Sequence, residues 1–208
     1  IKNAAYLGYN LGKISNLEPF SAVTYREDWV NHYRANNYFE VDPVLKACRK
    51  SILPLDWQNL EINSPKVKKF FNEAISADVG RFGLSIPVRG LNGDFSVFSL
   101  TFDESEKDWN EFKRQFIRDF QVLAVYFHKA VLEANDIKPP EFRLSDRELE
   151  VLYWAACGKT SDETATILGI TKRGVRFHCA NIMTKLNTVN IAHTVAKGIN
   201  YNLINPPK

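Results

Sequence analysis

The chain has 208 residues, 45% of them hydrophobic and 25% charged, with a formal net charge of +3 at pH 7. That is room for two modest domains, each burying its own core. No stretch approaches the ~18 continuous apolar residues a membrane span needs, the first residues do not read as a signal peptide, and the three cysteines Cys48, Cys157 and Cys179 lack paired spacing, so neither a membrane protein nor a disulfide framework is expected.

The cysteines read as buried thiols of a reducing compartment, so a cytoplasmic protein is expected. The chain starts at Ile1 without a methionine, and residues preceding it are expected. Charge is unevenly placed: from Phe142 to Lys208 there are nine Lys and Arg against five Asp and Glu, leaving a net of about −1 for everything before. A basic C-terminal end is where a nucleic-acid contact belongs.

Residues 4–14 are short and mixed, and Gly8 and Gly12 argue against a helix there. Residues 20–25 read as a strand and residues 27–36 as a helix. Tyr25, Trp29 and Tyr33 are four apart, so Trp29 and Tyr33 share a helix face with Tyr25 at its mouth. Asp42 precedes Pro43, which opens a short helix through Cys48, and Trp57 lies fifteen residues beyond Asp42. On residue physics alone this set is either an aromatic core with a capping Asp or the wall of a ligand site.

Ser64-Pro65 starts a helix with Val67, Phe70, Phe71, Ala74 and Ile75 on its apolar face. Residues 83–88 and 95–102 read as strands around Asn92-Gly93, a hairpin signal. The second strand is apolar on both faces and belongs in the middle of an α/β/α sandwich, with Val97, Ser99 and Thr101 on one face and Phe98, Leu100 and Phe102 on the other. From Ser105 to about Asn135 a long helix carries Trp109, Phe112, Phe116, Phe120, Leu123, Phe127 and Val131 at steps of three or four. Most of that stripe is expected to cover the sheet. Residues 136–143, holding Pro139-Pro140, form the linker.

Residues 144–208 then read as an all-α four-helix domain. Ser145 with Glu148 forms a capping box and Gly158 stops the first helix. Thr160 or Ser161 caps the second, Gly169 ends it, and Thr171 opens the third. In the third helix Val175, Cys179, Ile182 and Leu186 make a buried stripe, and Lys172, Arg173 and Arg176 lie opposite. A short helix, a tight turn and a helix with a basic N-terminal half form either a helix-turn-helix reading a DNA major groove or a solvated basic helix in a bundle. The last helix, about 190–202, carries Val195, Ala196 and Ile199, which either close this domain or pair it with another.

This stretch resembles the DNA-binding domain of LuxR-type transcription factors. The matching residues are Leu144, Ser145, Arg147, Glu148, Glu150, Val151, Leu152, Gly158, Lys159, Thr160, Glu163, Ala165, Val175, His178, Lys185 and Leu186. Thr164 stands where that family usually has Ile, Gly174 where it usually has Thr, and Ile191 where many members carry a basic residue. A mid-helix glycine costs about 0.5 to 1 kcal/mol relative to alanine, so weakened DNA affinity is expected from Gly174. The front of the chain is similar to the same family's sensor domain in the pattern Tyr-x3-Trp-x3-Tyr-x8-Asp-Pro with a Trp fifteen residues after the Asp, and in the segment 83–90 with Gly93.

The resemblance implies an α+β protein: an α/β/α sandwich of residues 1–135 that binds an autoinducer and dimerises, the linker, and the helix-turn-helix domain. It implies no cofactor and a small-molecule ligand, an N-acyl-homoserine lactone. Trp29 donates to the lactone carbonyl, Asp42 accepts from the amide N–H, Tyr25 and Ser99 donate to the acyl carbonyl, and Tyr33 and Trp57 wall the site. It implies a cytoplasmic homodimer with no membrane contact, bound to a palindromic double-stranded operator through Thr171, Lys172, Arg173 and Arg176. The competing expectation within the family is a ligand-independent regulator, or an anti-activator acting through heterodimers. An enzyme is not expected, since no Gly-x-Ser-x-Gly, phosphate-cradling loop or metal-spaced His/Cys cluster is present, and His32, His128, His178 and His193 are scattered.

Overall fold

A computed structural model of the chain describes residues 1–12, 18–90, 93–138 and 141–205. Asn92 of the expected turn and Pro139-Pro140 of the expected linker lie outside the described residues. Residues 1–90 and 94–138 form one compact unit, and residues 139–205 belong to a second.

The first unit is built on a five-stranded antiparallel sheet of order β2-β1-β5-β4-β3. Its strands are β1 (Asn3–Tyr9), β2 (Phe20–Val23), β3 (Leu55–Asp56), β4 (Phe82–Arg89) and β5 (Phe95–Phe102). β1 occupies the segment whose glycines argued against a helix, and it is a strand at the sheet's centre beside β5. Both of its faces are covered, so it lacks the polar alternation by which a half-exposed strand announces itself.

One face of the sheet is covered by α4 (Glu106–Ala134), capped by Ser105, whose hydroxyl accepts from the Asp108 N–H. Phe98 and Leu100 of β5 meet Ala124 and Val131 of this helix in a single core. A polar chain is buried in that layer: Tyr6 Oη lies 2.7 Å from His128 Nδ1, and His128 Nε2 donates to Asp94 Oδ2 at 2.6 Å. Leu123, one residue of the expected stripe, is 46% exposed and lies with Val122, Val125 and Tyr126 on the outer side of α4.

The opposite face carries α1 (Glu27–Ala35), α2 (Pro43–Cys48) and α3 (Pro65–Ser76), which complete an α/β/α sandwich. Trp29, Tyr38, Phe70, Ala74 and Val79 form one core there, and Val44, Leu45, Cys48, Phe95 and Val97 another.

The second unit contains α5 (Asp146–Ala156), α6 (Ser161–Leu168), α7 (Lys172–Leu186) and α8 (Ile191–Asn200). Its helix ends follow from local chemistry. Ser145 with Glu148 and Thr160 with Glu163 each make both hydrogen bonds of a capping box. Gly158 and Gly169 take positive φ of 76° and 63° just past α5 and α6, which turns the chain at little cost. Val151, Leu152, Val175, Ile182 and Leu186 form the core. Val195 and Ile199 of α8 pack against it, so that helix closes its own domain. Cys48 is buried, but Cys157 and Cys179 are only half-buried, which corrects the reading of all three as buried thiols. Among the described residues no helix is long and apolar enough to cross a membrane.

Candidate functional site

A cavity lies between the sheet and the three-helix layer of the first unit. Strand alternation makes its floor: Ser99 of β5 pairs across the sheet with Ala5 of β1 and Ser85 of β4, and Ala5 with Val23 of β2. Its roof is α1, α2 and α3. The interior leaves about 80 Å3 for the centres of water-sized molecules, several times the ~10–15 Å3 that one water requires.

All six residues singled out for ligand binding, Tyr25, Trp29, Tyr33, Asp42, Trp57 and Ser99, line this one cavity. Asp42 is both a helix cap and a cavity residue. Its Oδ1 accepts from the Val44 N–H at 2.8 Å and the Leu45 N–H at 3.4 Å, closing the first turn of α2 behind Pro43. Its Oδ2 accepts from the Tyr33 hydroxyl at 2.8 Å. The carboxylate therefore has protein donors of its own. Burial nevertheless pushes the Asp42 carboxyl up to about 6, against the pull of Tyr33, Val44 and Leu45 in the other direction. Burial first, and the facing Asp42 charge second, hold the Tyr25 and Tyr33 hydroxyls well above the usual phenol range, so both are donors at neutral pH.

Trp29 is 4% exposed and packs its indole against Tyr33, Tyr38 and Phe70, with ring centroids 6.0 to 6.3 Å apart. Trp57 donates its indole N–H to Ser85 Oγ at 2.8 Å, and Ser85 Oγ shares a hydrogen bond with Ser99 Oγ at 2.7 Å. The residue that sequence reasoning missed is Ser85. It is fully buried, and the signal for it was available: in an antiparallel hairpin the residue opposite Ser99 shares its face.

The second candidate surface is the N-terminal half of α7. Thr171 caps that helix, its Oγ1 accepting from the Gly174 N–H at 3.1 Å. Lys172 is paired with Asp162 at 2.6 Å, whereas Arg173 and Arg176 are exposed and no carboxylate lies within ion-pair distance of either among the described residues. Phe177, absent from the expected set, is 62% exposed beside them. Gly174 is the third residue of the helix and not an interior one. A Cβ there would meet Thr171 Oγ1 at 3.4 Å, an ordinary contact, so the expected interior-glycine cost overstates its effect. Behind this surface Glu148 receives Lys185 Nζ at 2.7 Å, and Arg147 Nη2 donates to the Leu168 carbonyl at 2.7 Å, tying α5 to α7 and to the end of α6. Among the described residues no group of three His, Cys, Asp or Glu is placed to hold a metal ion.

Comparison with known proteins agrees with this division. The autoinducer binding domain family matches residues 2–131, and the luxR family of bacterial regulatory proteins matches residues 143–197. The transcriptional activator protein RaiR of Rhizobium etli is 33% identical over 179 residues, 85% of this chain and 74% of that protein. EchR of Dickeya chrysanthemi, also a transcriptional activator protein, is 32% identical over 214 residues, 97% of this chain and 84% of that one. The crystal structure of Escherichia coli SdiA superimposes with a TM-score of 0.61 at 25% identity, covering 97% of this chain and 84% of SdiA.

Proposed function

Since the chain belongs to the LuxR family of bacterial transcriptional regulators, with an autoinducer-binding domain ahead of its DNA-binding domain, we propose that its ligand is an N-acyl-homoserine lactone held in the cavity beneath α1, α2 and α3. The observation that carries this reading is the convergence of six residues, spread from Tyr25 to Ser99 in sequence, on one mostly apolar cavity. A lactone and amide head needs two donors to carbonyls and one acceptor for an N–H. Trp29, Tyr25 and Ser99 supply donors, and Asp42 the acceptor. Each buried polar atom of the ligand then has a partner, which offsets its desolvation.

The protein acts as a homodimer in the cytoplasm and reads a palindromic operator. One helix-turn-helix spans a half-site, so recognition of a full operator takes two. The exposed strip Val122, Leu123, Val125 and Tyr126 on α4 supports pairing of sensor domains. Arg173 and Arg176, without carboxylate partners among the described residues, meet phosphates or guanine edges, with Thr171 and Lys172 at the helix start.

Thermal unfolding with lactones of graded chain length tests the ligand. At about a hundred times its dissociation constant, a ligand that binds only the folded state adds roughly 2.7 kcal/mol, a shift of several degrees. A shift that peaks at one chain length is expected. A folded protein that no lactone stabilises would instead be a ligand-independent regulator or an anti-activator acting through heterodimers.

A further inference from the structure

The cavity has a second polar end. Ser21 of β2 and Arg34 of α1 both line it, and Arg34 Nη2 donates to Ser21 Oγ at 3.3 Å, a long contact, with the Arg34 side chain 47% exposed and its remaining N–H groups open to water or a ligand. Among the described residues the Ser21 hydroxyl makes no other hydrogen bond, and the remaining neighbour of the guanidinium is Glu18, whose carboxylate lies 3.9 Å from Arg34 Nε. Between this pair and Ser99 the floor is Ala5, Leu7 and Val23, and Val30 lies above, all apolar.

Strand register sets the distance between the two ends. Ser99 pairs with Ala5 and Ala5 with Val23, two strands over, and Ser21 lies two residues further along β2. With strands ~4.8 Å apart and a rise of ~3.4 Å per residue, Ser21 is about 12 Å from Ser99. A zigzag chain with C–C bonds of ~1.5 Å covers that in about ten carbons. An acyl chain whose carbonyl sits at Ser99 thus reaches Ser21 and Arg34 with its far end, not with the carbons next to the amide. A wholly alkyl chain end would there displace water from a guanidinium and a hydroxyl and return neither hydrogen bond.

We propose that Ser21 and Arg34 form a subsite for an oxygen at the far end of the ligand's acyl chain, a hydroxyl or a carboxylate, so that the preferred ligand is oxygenated at its terminus. This rests on the acyl-lactone reading of the cavity.

The test is calorimetric titration of the full chain with N-decanoyl-homoserine lactone and three analogues of the same length: one ending in a hydroxyl, one ending in a carboxylate, and one with an oxo group near the amide. The terminal-oxygen analogues are expected to bind about tenfold tighter than the plain chain, in line with charge-assisted hydrogen bonds in a partly exposed site. The near-amide oxo group is expected to give no such gain. In Arg34→Met, and more mildly in Ser21→Ala, the ratio of terminal-oxygen to plain affinity is expected to fall towards one. That ratio is the readout, because general damage to the cavity would weaken all the ligands together. Tighter binding of the carboxylate than of the hydroxyl assigns the oxygen to Arg34 charge, and equal binding to hydrogen bonding alone. A wild-type protein that binds the plain chain as tightly as the oxygenated ones would overturn the subsite and leave the lactone reading intact. A ratio that persists in both variants would also overturn it. If none of the four lactones binds, the lactone reading fails and the subsite with it.

Discussion

The Tyr33 hydroxyl donates to Asp42 Oδ2 at 2.8 Å while Asp42 Oδ1 caps α2, so one carboxylate joins two helices of the cavity roof. Burial has raised the Asp42 pKa from 3.8 to about 6. Its folded state therefore binds a proton more readily than its unfolded state, and stability falls as pH rises from about 4 to about 6. The penalty is complete above that window, where a shift of this size corresponds to roughly 3 kcal/mol. Asp42→Asn keeps a good helix cap through its one carbonyl oxygen, places an NH2 where Oδ2 stood so that the Tyr33 hydroxyl accepts and no longer donates, and carries no charge. Urea unfolding without ligand should find the variant at least as stable as the wild type at pH 7.5, with a flatter profile between pH 4 and 6. Lactone affinity should fall, because the amide loses a charged acceptor. A variant clearly less stable at pH 7.5 would mean that the charge is not under strain in the fold.

Trp57 reaches Ser85 only because its ring lies on the bare backbone of Gly83, where a Cβ would come within 2.1 Å of the indole Cδ2. Gly83→Ala must push the ring away and break the Trp57–Ser85 bond. Overpacking of this kind costs about 1–3 kcal/mol. Ligand affinity should drop with stability, whereas Ser85→Ala should leave the ring seated and cost about 1–3 kcal/mol for an unsatisfied indole N–H. Near-ultraviolet circular dichroism separates the two. A changed indole signal in Ser85→Ala but not in Gly83→Ala would refute this account of what holds Trp57.

Helix ends were legible where a side chain closes them: Ser64, Ser105, Ser145, Thr160 and Thr171 all cap as their sequence positions imply. The spacing from Tyr25 to Trp57 grouped a helix face with a capping Asp, which are local features, but left an aromatic core and a ligand wall both open, and it was the resemblance to the family's sensor pattern that chose the cavity these residues line. β1 was not legible, since Ala4, Tyr6, Leu7 and Tyr9 leave no polar face to alternate. Nor was the His128–Asp94 pair, whose partners are 34 residues apart and meet only when α4 packs on the sheet. Leu123 fits the three-four series of α4 and yet is exposed, because the buried positions Ala124, His128 and Val131 set the inward face and Leu123, about 100° around the helix from Ala124, lies at the edge of the stripe. The Ser21–Arg34 end of the cavity has no motif at all, being made by a strand and a helix end 13 residues apart.

Glu148 closes a capping box and receives Lys185 from α7, with its side chain 4% exposed. Desolvation pushes its carboxyl up, but Lys185 and the Ser145 N–H together outweigh that and hold it below the usual range. A lowered folded pKa gives stability that is present at neutral pH and lost as pH falls through and below the ordinary carboxylate range. Glu148→Ala removes the reciprocal half of the capping box, leaving the Ser145 cap, and the tie between α5 and α7, a loss of roughly 1–3 kcal/mol given that Lys185 can return to water. The DNA-binding domain should unfold earlier in urea, and the sensor domain's transition should stay where it was. Equal shifts in both transitions would show that the two domains unfold as one.

On α7 the charges differ in availability. Lys172 is already paired with Asp162, while Arg173 and Arg176 are exposed with no such partner among the described residues. A cation that neutralises a DNA phosphate contributes about 0.9 to the slope of log affinity against log salt, and one committed to a protein carboxylate contributes less. Fluorescence anisotropy with a random-sequence duplex between about 50 and 200 mM salt measures that slope directly. Arg173→Ala and Arg176→Ala should each lower it by close to one, and Lys172→Ala by less than either. Phe177→Ala should leave it unchanged, because a phenyl ring neutralises no phosphate. Its place on the exposed face suits contact with a thymine methyl, which changes the sequences selected from a random pool and not the salt dependence. An unchanged slope in both arginine variants would mean that the N-terminal half of α7 does not face the phosphates, and the helix-turn-helix would then have to dock through another surface.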